Sequence, residues 1–351
     1  MTTTLDTGDR KVGDLIEDTR AVVDPVLRGA VGALPGTMRR IGGYHLGWWD
    51  RNGLPEAGRP GKAIRPALVL AAARAVAFGA HPVASAGAAV PAAAAVELVH
   101  NYSLLHDDVF DNDVLRRHRP TAWTVFGSSE AILAGDAMQA LAFAVLAGDG
   151  NPAAAAATAR LAVCSIELCE GQSADIAFEG RADVDLNECL AMAEAKTGAL
   201  LGCACALGGL YAGAEHEVLE ALDDFGRQIG LAFQLIDDLL GIWGDPEVTG
   251  KPVGSDLTAL KKSLPVVAAL TSGTAAGAEL GALYGAGRPL LGGAVDRAAD
   301  LVQRAGGRDW ARAQAEDRIS GALGHLASVF PEQRRTEELL SLAAVFTRRV
   351  R

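Results

Sequence analysis

The chain has 351 residues, of which 50% are hydrophobic, so it can bury a large core. Aromatic residues make up only 5%, and this composition suits closely packed helices better than sheets, which favour β-branched and aromatic residues. The 32 basic and 43 acidic residues give a net charge of −11, which argues against a nucleic-acid binder that relies on a basic face.

The cysteines and the N-terminus bear on the cellular compartment. Five cysteines, an odd number, lie on apolar stretches, and we interpret them as buried thiols in a reducing environment rather than as a disulfide framework or a zinc site. The polar first residues lack the apolar core of a signal peptide. Residues 82–99 come nearest to a membrane span, but they contain Pro91 and Glu97. We therefore predict a cytoplasmic protein without a membrane span.

Apolar residues recur at the i, i+3, i+4 spacing of helices, and no useful strand alternation or long repeat is present. The predicted helices cover approximately residues 13–34, 64–78, 91–110, 129–147, 152–178, 186–212, 215–243, 258–271, 291–305, 308–328 and 335–350. Residues 273–293 are rich in Gly and Ala and are predicted to form a loop with a short helix. Because no linker divides the chain, we predict one all-α domain over residues 16–351, preceded by a flexible segment, residues 1–15.

Lysine is used sparingly. Only six of the 32 basic residues are lysines, although lysine provides the compact point charge that suits phosphate. Lys62, Lys196 and Lys251 each lie directly beside Gly, Pro or Thr, and Lys261 and Lys262 come just before Ser263-Leu264-Pro265. These positions are typical of phosphate-binding loops, although chance placement near helix ends is the alternative.

The segment VELVHNYSLLHDDVFDNDVLRRHRPT is the strongest local signal. On a helix, His100, Asp107 and Asp111 lie within about 40° of one face. Carboxylates at i and i+4 on an apolar helix repel each other. A divalent cation removes that repulsion, and oxygen ligands favour Mg²⁺ shared with substrate phosphates. The alternative is a solvated acidic helix end.

A second pair strengthens the metal hypothesis. In LAFQLIDDLLGIWGD, Asp237 and Asp238 come late in another apolar helix, one turn after Gln234. Basic residues follow each acidic pair: Arg116 and Arg117 after the first, and Lys251, Lys261 and Lys262 after the second. Two acidic rims followed by positive charge are what a metal-bridged diphosphate requires. The sequence therefore predicts phosphate chemistry.

In order and spacing, GKAIRP, the first aspartate motif, AKTG, the second aspartate motif and GKPVGSDLTALKKSLP resemble the trans-isoprenyl diphosphate synthases, or polyprenyl synthetases. The matching motifs run from Gly61 to about Pro265. The resemblance implies an antiparallel helical bundle around a central cavity, with the two aspartate motifs facing each other at its mouth. It also implies three Mg²⁺ ions, a homodimer, and isopentenyl diphosphate with dimethylallyl, geranyl or farnesyl diphosphate as substrates.

The resemblance also implies residue roles. Asp107, Asp111 and Asp237 are the implied direct metal ligands, with Asp108 and Asp238 in support, and Lys196 and Lys251 join them in the catalytic set. The implied allylic diphosphate site comprises Arg116, Lys196, Thr197, Gln234, Lys251 and Lys261. The implied isopentenyl diphosphate site comprises Gly61, Lys62, Arg65, His100 and Arg117.

Product length is predicted from the residues before the first aspartate motif. Tyr102 lies five residues before Asp107, about 7.5 Å along the helix axis, and Ser103 beside it is small. In the family, one aromatic residue at that position is typical of enzymes that stop at C20. We therefore predict geranylgeranyl diphosphate, with farnesyl diphosphate as the alternative. A further alternative is that Tyr102 only packs between helices with its hydroxyl hydrogen-bonded.

Three positions depart from the family pattern. Gly241 replaces a common third aspartate, His118 replaces the usual glycine after the arginine pair, and Ala63 replaces a frequent arginine. Two other features are interpreted structurally. We expect His106 to pack or to form a supporting hydrogen bond rather than to bind metal. Trp48 and Trp49 are expected to form a packed cap, with a protein-docking patch as the alternative.

Two other functions remain as alternatives. A class I terpene cyclase shares the helical fold and the DDxxD motif, but would usually carry an Asn/Ser/Glu metal motif in place of the second Asp-Asp pair. A non-enzymatic regulatory or cargo-like role would predict eroded aspartates, whereas both pairs are intact.

Overall fold

The computed structural model describes residues 5–56, 58, 61–246 and 252–347. In the N-terminal half, the elements are α1 Leu5–Gly32, α2 Gly36–His45, α3 Ile64–Val76, α4 Pro82–Ala88, α5 Val90–Phe110, β1 Leu115–Arg116, β2 Arg119–Pro120, α6 Ala122–Phe126, α7 Ser128–Ala147 and α8 Ala154–Glu179. There follow α9 Leu186–Ala193, a π-helical turn Glu194–Gly198, α10 Ala199–Tyr211, α11 His216–Trp243, α12 Ser255–Thr258, α13 Leu264–Leu270, α14 Ala275–Tyr284, α15 Gly293–Arg304, α16 Gly307–Val329, a 3₁₀ turn Gln333–Thr336 and α17 Glu337–Thr347.

The fold is all-α, as predicted. The long helices agree with the predicted ones to within a few residues, with two exceptions. Helix α1 begins at Leu5, inside the segment predicted to be flexible, and the helix predicted over residues 258–271 begins only at Leu264, because residues 259–263 are not helical. The predicted short helix within residues 273–293 is α14. The sequence did not indicate α2, α6 or the hairpin β1–β2, because each is too short to show a period.

The chain divides into two compact units, which are described separately. The first comprises Met1–Ser165, Cys203–Asp223 and Leu326–Leu342, and the second Ile166–Gly202, Asp224–His325 and Ala343–Arg351. The single-domain assignment and the boundary at residue 15 stay predictions.

The central element of the first unit is α5, which packs against α1, α3 and α7. Its first turns are mostly alanine, and residues 92–96 are fully buried, because small side chains let neighbouring helices approach closely. Pro91 lies in the first turn of α5, where its missing N–H costs no hydrogen bond. The sequence therefore sets both the start of α5 and its burial.

The second unit has two apolar clusters. In one, Leu231, Leu235 and Leu239 of α11 pack with Leu264 of α13 and Ala311 of α16. The other joins α12 to α15 around residues such as Leu257, Leu280 and Leu301. The first cluster fixes the last turns of α11, which carry the second aspartate pair.

Two predictions about the chain's apolar residues have mixed outcomes. Cys164, Cys189, Cys203 and Cys205 are buried, as predicted, but Cys169 is exposed. Among the described residues, α7 and the stretch Leu186–Tyr211 are long and apolar enough to span a membrane, and two bent helix pairs raise that number to four. Only 33% of the apolar window of α7 is buried. That no helix spans a membrane stays a prediction.

Candidate active site

The last turn of α5 separates the three carboxylates of the first motif by burial. Asp111 is exposed and Asp107 partly exposed, whereas the Asp108 side chain is buried. The helix continues to Asp111, whose N–H donates to the Asp107 carbonyl at 2.8 Å. Asp107 and Asp111 therefore occupy successive turns of one helix face, as the sequence predicted.

Asp108 belongs to an ion pair. Its Oδ1 accepts from Nε and Nη2 of Arg116, each at 2.7 Å. Burial raises the pKa of Asp108, and Arg116 opposes that rise. The contact fixes Arg116 to the end of α5. Asp108 thus holds a cation in place, and its accessible neighbours present carboxylate oxygens outward.

The arginine pair lies on the hairpin that follows. Leu115 and Arg116 of β1 pair with Pro120 and Arg119 of β2. Between them, Arg117 and His118 have φ angles of 54° and 63°, the left-handed pair of values that a two-residue hairpin loop adopts. Glycine adopts this conformation without steric cost, which explains why glycine is usual in the family where this chain has His118.

The segment of α2 and the following loop holds this hairpin. The Tyr44 hydroxyl donates to the Pro120 carbonyl at 2.8 Å, and Arg119 donates to the carbonyls of Tyr44 and Trp49 at 3.1 and 2.7 Å. Trp48 is 9% exposed and lies under the guanidinium of Arg28. These contacts agree with the packed-cap interpretation, and they give the cap a role in positioning the arginine pair.

The GKAIRP segment lies against the same hairpin. A Cβ atom on Gly61 would be 2.8 Å from Nη2 of Arg117, so a larger residue would force that guanidinium to shift. Lys62 is exposed, and Ala63 has a φ of 50° before α3 begins. The structure therefore places Gly61 beside Arg117.

Arg65 and His100 form a second contact at this end of the unit. Nη1 of Arg65 lies 3.1 Å from Nε2 of His100. Burial and the neighbouring guanidinium groups lower the pKa of His100 well below its ordinary value. The neutral ring can then accept the hydrogen bond from Arg65.

Three aromatic rings on α5 contact one another in sequence, from Tyr102 before the first motif to Phe110 within it. The rings of Tyr102 and His106 are 5.6 Å apart, and those of His106 and Phe110 are 6.1 Å apart. His106 Nε2 lies 2.9 Å from the Ile132 carbonyl on α7, as expected for a packed histidine. Tyr102 is 4% exposed. Beside it, the Ser103 hydroxyl donates to the His100 carbonyl at 2.9 Å.

The second aspartate pair shows a similar division. Asp237 is exposed, whereas Asp238 is 3% exposed. The Gln234 amide donates to one Asp238 oxygen and the Leu264 N–H to the other, both at 2.8 Å. Burial raises the pKa of Asp238 to about 7, with Lys261 and these hydrogen bonds opposing. Asp238 therefore ties α11 to α13.

The AKTG motif forms the π-helical turn. Such turns occur frequently at functional sites, because the wider turn displaces side chains from regular helical positions. Lys196 Nζ contacts Asp175 at 2.5 Å, and the Thr197 hydroxyl donates to Gln234 at 2.8 Å. A Cβ atom on Gly171 would be 2.5 Å from the Lys196 N atom, so a glycine on α8 makes this approach possible. The turn thus joins Gln234 and Asp238 in one chain of hydrogen bonds.

The lysines after the second motif have different surroundings. Desolvation disfavours the charged form of Lys261, but Asp238, Asp256, Asp175 and Asp237 outweigh it and raise its pKa. Lys262 instead donates to the Phe178 carbonyl at 3.0 Å. Lys251 lies outside the described residues.

Asp256 explains the departure at Gly241. A Cβ atom on Gly241 would be 2.3 Å from a carboxylate oxygen of Asp256. The carboxylate of Asp256 therefore fills the space in which a side chain at position 241 would begin. A third acidic group is present beside α11, supplied by a different segment.

Sequence reasoning missed Asp175, Asp256 and Glu97. Asp175 pairs with Lys196, and Asp256 faces Gly241. Glu97 is a buried carboxylate one turn before His100. The signal for Glu97 was available, since a single acidic residue in an alanine-rich helix requires buried partners. Nothing in the linear order indicated the other two.

The accessible carboxylates fit a divalent cation that is shared with a substrate. Among the described residues, no group of three or more His, Cys, Asp or Glu is arranged to hold a metal ion alone. Mg²⁺ in phosphate sites takes one or two carboxylates, with water and phosphate oxygens as the other ligands. Asp107 with Asp111, and Asp237, provide such incomplete oxygen sets.

The comparisons with known proteins agree with this chemistry. The polyprenyl synthetase family model matches residues 56–300. The chain is 46% identical over 336 residues to geranylgeranyl diphosphate synthase of Mycobacterium tuberculosis (strain ATCC 25618 / H37Rv), covering 95% of this chain and 93% of that protein. It is also 46% identical to (2E,6E)-farnesyl diphosphate synthase of Mycobacterium bovis (strain ATCC BAA-935 / AF2122/97), covering 92% and 89%.

A solved structure supports the same assignment. Polyprenyl synthetase from Streptomyces coelicolor A3(2) superimposes with a TM-score of 0.88 at 44% identity, covering 95% of this chain and 99% of that one. Family model, sequence relatives and fold therefore agree, and the chain belongs to the polyprenyl synthetase family.

Proposed function

We propose that this protein is a trans-prenyltransferase that condenses isopentenyl diphosphate with an allylic diphosphate to make a short-chain prenyl diphosphate. The observation that carries the proposal is the presence of two Asp-Asp pairs, each with one accessible and one buried carboxylate and each next to positioned cations. Relatives named geranylgeranyl and farnesyl diphosphate synthases, both 46% identical, support it.

The metal-binding residues follow from accessibility. Asp107, Asp111 and Asp237 would hold Mg²⁺, three ions by the family resemblance, while Asp108 and Asp238 keep Arg116 and the end of α11 in place. When bound, the metal would supply Lewis-acid stabilisation of the departing diphosphate. Because each buried partner is already hydrogen-bonded, the ligand geometry is set before substrate arrives.

The chain's cations would stabilise the charge that develops as the C–O bond breaks. Lys196, Lys261 and Arg116 are the described members of the allylic set. Lys196 pairs with Asp175 and Arg116 with Asp108, and four aspartates raise the pKa of Lys261. Such preorganised charges stabilise a leaving anion more in the transition state than in the ground state. The double bond of isopentenyl diphosphate then attacks the allylic cation, and the released diphosphate accepts the proton that is lost.

Isopentenyl diphosphate would bind between the hairpin β1–β2 and the start of α3. Lys62 is exposed, Arg117 lies over Gly61, and Arg65 is oriented by His100. Among the described residues, no hydrogen bond or ion pair occupies the Arg117 guanidinium. Its donors are available for an anion in the bidentate manner that suits diphosphate.

We further propose a C20 product, geranylgeranyl diphosphate, with farnesyl diphosphate as the alternative. Tyr102 is the residue proposed to end the product cavity, with the small Ser103 leaving room beside it. The buried Tyr102 ring is braced by His106, so it can act as a fixed floor.

Incubation of the protein with radiolabelled isopentenyl diphosphate and each allylic primer in turn tests the proposal. Chain elongation, identified by chromatography, supports a synthase, whereas a cyclised hydrocarbon from a single substrate would indicate a cyclase. Tyr102→Ala should lengthen the product by at least one isoprene unit. An unchanged product distribution in that variant would remove the basis of the C20 assignment.

The protein is proposed to work in the cytoplasm as a homodimer. The exposed side chains Leu133 on α7 and Val163 on α8 are 53% and 65% accessible. A second copy would cover these residues and keep the apolar face of α7 from water. Light scattering of the purified protein would give the mass of a dimer, and Leu133→Asp should shift it toward the monomer.

A further inference from the structure

A buried carboxylate lies within the first unit, away from both aspartate motifs. Glu97 on α5 is 8% exposed, and its Oε1 accepts a hydrogen bond from the Asn101 amide at 3.0 Å. No lysine or arginine among the described residues is paired directly with it. An ionisable group buried in this way requires compensation from charges at longer range.

Two guanidinium groups provide that compensation. Burial lowers the pKa of both Arg65 and Arg117, and Glu97 is the largest opposing charge for each. Conversely, burial raises the pKa of Glu97, and Arg65 is the largest charge that opposes the rise. Glu97 is therefore the main countercharge of Arg65 and of Arg117, and we assign both arginines to the isopentenyl diphosphate site.

A small cavity is lined by Glu97 and Arg117 and extends to the N-terminal helix. Its lining includes Glu97 and Asn101 of α5, Arg117 of the hairpin, and Arg20 and Asp24 of α1. Arg20 donates a hydrogen bond to the Gly61 carbonyl. Asp24, the other carboxylate on this cavity, also has its pKa raised by burial. Charges of both signs thus approach the cavity from three elements.

A polar atom in this region lacks a partner. Nε of Arg65 is inaccessible to solvent and has no hydrogen-bond partner among the described residues. Buried polar groups are nearly always paired in folded proteins. The cluster therefore holds hydrogen-bonding capacity that its own side chains do not use.

We propose that Glu97 is a positioning residue whose negative charge holds Arg65 and Arg117 in place for the diphosphate of isopentenyl diphosphate. The inference rests on the proposed function for the identity of the ligand, but the charge arrangement is independent of it. Without Glu97, Arg65 and Arg117 would be buried cations near Arg116 and Arg20 with no central countercharge. They would separate toward solvent, and the convergent donor set would be lost.

Removal of the Glu97 charge could also have the opposite effect, tighter binding of the anion. A negative charge near an anion site repels the anion, so its removal would tighten binding if positioning were unimportant. Glu97→Gln distinguishes the two, because the amide oxygen can still accept from Asn101 while the charge is lost. Glu97→Asp retains the charge. Glu217→Gln, which neutralises an exposed carboxylate in the first turn of α11, is the matched control.

We expect Glu97→Gln to raise the KM for isopentenyl diphosphate roughly tenfold or more, with the KM for the allylic primer changed less than about twofold. Glu97→Asp should recover most of the affinity, and Glu217→Gln should match the wild type. Calorimetric titration of metal-free protein with inorganic pyrophosphate measures anion binding by the same arginines without turnover. Glu97→Gln should raise the dissociation constant by a similar factor.

Three outcomes would overturn the proposal: unchanged or tighter pyrophosphate binding by Glu97→Gln, equal changes in both KM values, or a Glu97→Asp variant as impaired as Glu97→Gln. If Glu97→Gln does not fold, the Glu97→Asp variant still decides, since a retained charge must preserve pyrophosphate binding. A wild-type protein that binds pyrophosphate but makes no prenyl product would refute the proposed function. The role of Glu97 would then be tested by the calorimetric comparison of wild type with Glu97→Gln alone.

Discussion

Each aspartate motif contains one buried carboxylate, and the groups that stabilise it differ between the two motifs. In both, one aspartate of the Asp-Asp pair is buried and the other is accessible. The buried Asp108 is paired with a charged residue, Arg116, at 2.7 Å. The buried Asp238 is held by two neutral donors, the Gln234 amide and the Leu264 N–H, at 2.8 Å.

The different partners indicate different roles for Asp108 and Asp238. Asp108 fixes a cation that belongs to the proposed diphosphate site, so its charge is required. Asp238 ties two helices together. Burial raises the pKa of both carboxylates; the ion pair with Arg116 opposes the rise for Asp108, whereas the charge of Lys261 and two neutral hydrogen bonds oppose it for Asp238.

We expect the largest loss of activity when the accessible aspartate of either motif is removed. Asp107→Ala and Asp237→Ala should each reduce turnover by roughly a thousandfold or more, since each 1.36 kcal/mol of lost transition-state stabilisation is a factor of ten. Folding should persist, because neither carboxylate is buried. Steady-state assays with Mg²⁺, with thermal unfolding as the folding check, measure both. Near-wild-type rates in either variant, or full activity in excess EDTA, would exclude the metal role.

The second prediction separates the cations of the two regions. Lys62→Ala and Arg117→Ala should raise the KM for isopentenyl diphosphate by about ten- to a hundredfold, and Lys196→Ala should do so for the allylic substrate, since each removes a charge-assisted contact worth about 1.5–3 kcal/mol. Varying one substrate with the other saturating measures the split. Equal effects on both substrates would contradict the assignment of sites.

The third prediction concerns position 241. Gly241→Asp introduces the family's common aspartate but places its Cβ atom 2.3 Å from the Asp256 carboxylate. Steric overlap and like-charge repulsion should cost about 2–3 kcal/mol of stability and lower activity. The double variant Gly241→Asp, Asp256→Gly should recover most of both. A tolerated single variant would show that Asp256 does not occupy this space.

The last prediction separates the two buried aspartates by pH. Because the folded-state pKa of Asp238 is raised from 3.8 to about 7, its contribution to stability is present below pH 3.8 and is lost as the pH rises through 7. In metal-free protein, Asp238→Asn should therefore gain stability relative to wild type between pH 4 and pH 8, by at most about 4 kcal/mol.

The comparison for that experiment is Asp108→Asn, which removes the partner of Arg116. It should be less stable than wild type at pH 8, by about 1.5–3 kcal/mol. Urea unfolding at several pH values measures both variants. Parallel pH dependence in the two would contradict the distinction between ion pairing and hydrogen bonding.

Much of the architecture was readable from the sequence because the helices are long and their apolar spacing is regular. The end of α5 at Phe110 and the two aspartate pairs near helix ends could be predicted. The short elements could not, although the hairpin β1–β2 carries Arg116 and Arg117 and determines their direction. The spacing of apolar residues likewise does not predict the π-helical turn at AKTG, because that turn packs closely against Gly171 of another helix.

By itself, the sequence determined the family, the helical class and the chemical identity of the proposed site, because motif order and residue type are properties of the linear chain. Only the tertiary structure decided which carboxylate of each pair is buried, that Asp256 fills the space beside Gly241, and that Glu97 shares a cavity with Arg117. Burial and charge balance arise between residues distant in the chain, and a carboxylate's role depends on whether water or a buried partner surrounds it.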